Sequence, residues 1–92
     1  SDFHRVDSRS DLYSLGVSLF HMLTGQPPFL GPSHIATLTK VINDPVPDPR
    51  SLNPELSAEV ARVCMTMMAK DPEQRYQTPT EALVALRRLL RP

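Results

Sequence analysis

Apolar residues are wrapped around the stretch 11–25 rather than lined up along it. On a helical projection Leu12, Leu15, Val17, Leu19, Phe20, Met22 and Leu23 run almost all the way round. A helix apolar on every side has to be covered by other protein, so this stretch predicts a central helix over residues 8–25. Asp7 is its expected N-cap, with Ser8 and Ser10 as alternatives. Gly25 is placed to close it in the left-handed conformation. Residues 1–7 are polar and read as an incoming loop. Two residues sit awkwardly in this helix: Asp11, a charge at the mouth of a buried segment, and Gly16, which weakens a helix interior.

Downstream the pattern becomes one-sided. Gln26-Pro27-Pro28-Phe29 has to be extended, because proline disfavours the helical region for the residue before it. A second helix is expected over residues 33–43, capped by Ser33, with Ile35, Leu38, Val41 and Ile42 on one face. Residues 44–56 carry prolines at 45, 47, 49 and 54 and read as a stiff extended connector, neither helix nor internal strand. A third helix, residues 57–70 with Ser57 as its cap, places Val60, Val63, Cys64, Met67 and Met68 together. Asp71-Pro72-Glu73-Gln74 has the form of a capping box that starts a single tight turn carrying Arg75. Thr78-Pro79-Thr80-Glu81 has the same form and opens the last helix, residues 79–90, whose buried face is Ala82, Leu83, Leu86, Leu89 and Leu90. No segment alternates as a strand does. The fold class read from the pattern is all-α.

Composition narrows the picture. The chain has 92 residues, enough for one domain or part of one. Ten acidic and ten basic side chains cancel, which gives no electrostatic ground for binding nucleic acid. Arg87, Arg88 and Arg91 read as cations favoured near a helix C-terminus. The single Cys64 excludes an internal disulfide and suits a reducing, cytoplasmic setting. It reads as a small core residue, and Met65, Met67 and Met68 as adaptable packing. No run is long enough to span a membrane. The chain opens on Ser1 rather than Met, and the expectation drawn from this is a piece of something longer.

Candidate chemistry is sparse. His4, His21 and His34 lack metal-site spacing, and one cysteine does not complete such a site. The three glycines lie too far apart for a phosphate loop. No catalytic, cofactor-binding or metal-binding residue is therefore assigned. Asp11 and Arg75 remain as charges that a purely structural account handles poorly. Asp11 could serve the positive N-terminal end of its helix, or turn inward and need donors. Arg75 lies between two apolar helices, where a guanidinium needs a partner.

Three runs, taken together and in order, closely resemble the last third of a protein kinase domain. They are Val6-Asp7-Ser8-Arg9-Ser10-Asp11-Leu12-Tyr13-Ser14-Leu15-Gly16-Val17, then Leu23-Thr24-Gly25-Gln26-Pro27-Pro28-Phe29, then Lys70-Asp71-Pro72-Glu73-Gln74-Arg75-Tyr76. The wording looks most like bacterial-type serine/threonine kinases, and the similarity covers residues 1–90. It implies that the helices are αF to αI of a kinase C-lobe, a fragment of an α+β two-lobed domain.

The resemblance also gives the oddities places. Asp11 matches the aspartate that holds the catalytic loop, and Gly16 the glycine that permits close packing on αF. Arg75 matches the arginine that pairs with the glutamate of the Ala-Pro-Glu motif. His21 falls where many relatives have a substrate-contacting glutamate, and αG is a frequent docking surface. The ATP- and Mg2+-binding parts would lie upstream of Ser1. The parent would transfer the ATP γ-phosphate to protein Ser/Thr, while the fragment alone would bind neither cofactor and be inactive. Its expected partners are protein substrates and the remainder of the kinase domain. The alternatives are a pseudokinase scaffold and a stand-alone helical interaction module.

Overall fold

The computed structural model describes the backbone of residues 2–90 and the side chains of residues 8–90. Every regular element among these residues is helical: α1 (Asp2–Thr24), α2 (His34–Asn43), α3 (Ala58–Met67) and α4 (Pro79–Leu89), with 3-10 turns at Pro49–Ser51 and Pro72–Gln74. The expected helix order is present.

The largest departure is at the start. Residues 2–7, expected as a loop, are the first turns of α1. No glycine or proline interrupts them, and extending a formed helix adds one hydrogen bond per residue fixed. Asp7, expected as the cap, is therefore inside the helix; its side chain lies outside the described residues, as do His4 and Arg91. At the other end Gly25 takes φ 78°, and its N–H donates to the His21 carbonyl at 2.8 Å. Glycine tolerates that left-handed closure without Cβ strain.

The remaining caps follow the sequence closely. Ser33 Oγ accepts from the Ala36 N–H, Ser57 Oγ from Val60 N–H and Thr78 Oγ1 from Glu81 N–H. α3 ends at Met67 rather than residue 70, and α4 at Leu89. Asp71 accepts from the N–H of Glu73 rather than Gln74, which winds a 3-10 turn instead of a full capping box. The proline connector holds one such turn of its own, where Asp48 caps Pro49–Ser51. This turn is not apparent in the sequence, because the four prolines of the connector mask its cap-and-proline start. Asn53 Nδ2 donates to the Leu23 carbonyl at 3.0 Å, tying this connector to the end of α1.

The core is the crossing of α1 on α3, extended by α4. Leu12, Val63, Met67 and Ala82 form one buried group with Leu19, Tyr76, Leu86 and Leu89 around it. Phe20, Cys64 and Met68 form the other, flanked by Tyr13, Val17 and Leu23. Gly16 lies between them: a Cβ there would fall 2.7 Å from Met67 Cβ and 2.9 Å from Met68 Cγ. Two expected core residues of α4, Leu83 and Leu90, are instead exposed. The stripe of a short helix covers only part of a turn, and they fall at its margins.

The molecule is a slab 16 Å thick along its shortest axis. Packed helix axes lie ~8–10 Å apart, so a slab this thin holds two layers of helices, not the three needed to enclose one helix on every side. α1 is covered along one face, and the opposite face is open.

Candidate functional site

The register of α1 divides it into two stripes. The positions facing α3 and α4 are Arg9, Leu12, Tyr13, Gly16, Leu19, Phe20 and Leu23, buried or half-buried. The opposite stripe runs Asp11, Leu15, Ser18, Met22 at helical spacing, and all four are exposed. Leu15 retains 46% of its surface and Met22 73%. An apolar strip headed by a carboxylate is thus presented outward. Asp11 lies in the third turn of α1, not its first, so it does not serve the helix N-terminus: that effect fades within one turn.

A second locus forms where the turn before α4 meets the covered face of α1. Arg75 is half-buried and makes three hydrogen bonds to backbone carbonyls. Nε donates to Ala69 O at 2.7 Å, Nη1 to Arg9 O at 3.3 Å and Nη2 to Lys70 O at 3.4 Å. Its guanidinium carbon stands 4.8 Å from the centroid of the Tyr13 ring, within cation–π range. Burial lowers the Arg75 pKa from its usual value, while Tyr13 and Asp71 oppose that shift. Carbonyl oxygens and a ring face thus stabilise the charge, and no carboxylate is paired with it among the described residues.

Arg9 joins this locus and was missed by sequence reasoning. Its side chain is only 12% exposed and Nη1 donates to Glu73 Oε1 at 2.7 Å and to Gln77 Oε1 at 3.3 Å. Its Nε is buried without a partner. The available signal was spacing: Arg9 stands three and four residues before Leu12 and Tyr13, on the same helix face. Gln77 Nε2 in turn donates to the carbonyl of Arg75 at 2.7 Å, so two arginines and the turn carrying Glu73 form one network.

The four residues singled out from sequence do not converge. Gly16 is inside the α1–α3 contact and accepts the Cys64 thiol on its carbonyl at 3.6 Å. Arg75 is at the α1–α4 junction. Asp11 is on the open stripe, and His21 is exposed near the end of α1. Gly16 and Arg75 are thus on the covered side of α1 and Asp11 and His21 at exposed positions, so the four form no shared site.

No protein-family model matches the chain. Among curated proteins, it is 47% identical over 73 residues to the DNA damage-responsive serine/threonine-protein kinase RqkA of Deinococcus radiodurans, covering 79% of this chain and 11% of that protein. It is 47% identical over 77 residues to the serine/threonine-protein kinase PknB of Mycobacterium tuberculosis, covering 83% of this chain and 12% of the kinase. A probable serine/threonine-protein kinase of Streptomyces coelicolor is 38% identical over 80 residues, 87% of this chain and 12% of that protein. The chain spans only about an eighth of the length of these relatives. With matches of this extent across most of its own length, it belongs with the bacterial serine/threonine-protein kinases, as a segment of that kind of chain.

Proposed function

We infer that this chain is the C-terminal part of a kinase C-lobe, and that its parent transfers the γ-phosphate of ATP to serine or threonine of protein substrates. ATP and Mg2+ belong to the parent; ATP supplies the phosphoryl group that is transferred. The residues of this chain act by holding other segments in place, since phosphoryl transfer is mainly positioning and charge stabilisation. The fragment by itself is inactive.

The observation that carries this reading is the open stripe of α1. Its apolar residues offer a platform for further protein, and Asp11 at its head is exposed. A carboxylate in that position can accept hydrogen bonds from the backbone N–H groups of a loop laid across it, bonds roughly twice as strong as neutral ones. Arg75 supports the same reading. Its long Nη contacts leave it able to turn toward a carboxylate of the activation segment, and Gly16 allows the close helix contact that fixes α1.

In the full-length polypeptide, Asp11→Ala is expected to lower phosphoryl transfer about a hundredfold or more, the scale on which displaced catalytic groups lose rate. The melting temperature should fall as well, because removing the carboxylate leaves the loop's backbone donors unpaired, at a cost of about 1–3 kcal/mol. Unchanged turnover would remove the clamp role.

His21 is exposed on α1 and occupies the substrate-contact position. An imidazole there offers no carboxylate to an arginine. The parent should therefore show no selection for arginine two residues before the phosphosite on a peptide array, and strong selection would overturn this.

A further inference from the structure

α2 is attached to the rest of the molecule in an unusual way: it contains no buried residue. Ile35, Leu38 and Ile42 point outward with 77%, 55% and 75% of their surface accessible. Hydrophobic burial, the usual anchor of an amphipathic helix, is thus slight here. What fixes α2 is largely polar. Two ties are local: Gly31 N–H donates to Thr37 Oγ1 at 2.9 Å, and Lys40 Nζ, from the last turn of α2, reaches back to Leu30 O at 3.0 Å. At its end the tie comes from far along the chain. Lys70, just past α3, donates from Nζ to the Val41 carbonyl.

That contact has several physical supports. The last four carbonyls of a helix lack intrahelical donors, and a cation there is favoured by the helix dipole. The same ammonium stands 4.5 Å from the centroid of the Phe29 ring, and Phe29 is buried. One charge therefore touches the loop entering α2 and the last turn of α2 together.

We propose that Lys70 is a latch that sets the position of α2. It clamps both ends of the segment 29–41 to the end of α3, and neutralising it releases the helix while the α1–α3–α4 core stays folded. The core does not need α2, because neither buried cluster includes a residue of it. Release would reorient the outward stripe Ile35, Leu38, Ile42, so any docking by α2 would be sensitive to the charge of Lys70. That consequence rests on the kinase reading above; the latch itself does not.

Hydrogen exchange on the full-length polypeptide, wild type against Lys70→Met and Lys70→Arg, tests this without reference to activity. Met keeps the apolar stem and removes the donor. The α2 amides are expected to exchange about tenfold faster in Lys70→Met, the scale of one charge-assisted hydrogen bond, with α1 and α3 unchanged. Lys70→Arg, which retains donor and charge, is expected to stay within about threefold of wild type. Unchanged α2 exchange in Lys70→Met overturns the proposal, as does equal acceleration in α1 and α3 or equal acceleration in the Met and Arg variants. Loss of phosphoryl transfer in Asp11→Ala bears on the kinase reading alone, so the two can fail separately.

Discussion

The thiol of Cys64 has no exposed surface and donates to the Gly16 carbonyl in the middle of the α1–α3 contact. Burial pushes its pKa from 9.0 up to about 11, since the thiolate is the form that loses hydration. Between those values the unfolded chain has released a proton that the folded chain keeps. Stability from this source is therefore complete below pH 9 and declines as pH rises toward 11. The urea midpoint should fall across that window, and Cys64→Ala should flatten the decline even as it lowers the midpoint overall. An unchanged slope would remove the thiol as the cause. Arg75 illustrates the opposite solution to burial: a permanent charge is kept and surrounded by carbonyls. That it needed partners was readable from its neighbours in sequence. Which atoms supply them was not, because Ala69, Lys70 and Arg9 contribute backbone oxygens that carry no side-chain signature.

At the scale of elements, local chemistry set most boundaries. Ser33, Ser57 and Thr78 each accept the expected backbone N–H, and Gly25 closes α1. Gly16 needed a partner helix to be understood. Alanine there would gain ~1 kcal/mol of helix propensity, but its methyl would fall 2.7 Å from Met67 Cβ, with the Met67 backbone carbon at 3.3 Å. Those atoms are fixed to α3, so the helices would have to separate, and overpacking of this kind costs about 1–3 kcal/mol. Gly16→Ala is expected to destabilise by up to about 2 kcal/mol net, measured by chemical unfolding. A variant as stable as wild type would mean that α1 and α3 slide apart freely. The start of α1 was illegible for a related reason: Asp7 and Ser8 are good caps, but nothing in their composition forbids the helix from continuing upstream.

For the whole molecule, the decisive quantity is the apolar surface left open. Leu15 and Met22 on α1 and Ile35, Leu38 and Ile42 on α2 are all exposed, and patches of this sort mark sites for partners or for aggregation. The isolated 92 residues are expected to bind a dye such as ANS, self-associate in sedimentation and melt over a broad range. A sharp cooperative melt from a dilute monomer would instead favour a stand-alone helical module. Among the described residues no helix is long and apolar enough to cross a membrane.

The sequence by itself determined the helix order, most caps, most of the packing residues of α3 (Ala61 was not among those expected) and the kinship with kinases, because caps and periodicity act within a few residues and sequence identity needs no coordinates. Only the tertiary structure decided which side of α1 is covered. A helix apolar all round gives no preferred face, so its orientation is chosen by its neighbours: Met67 and Met68 meet Gly16, and Asp11, Leu15 and Met22 are left facing outward.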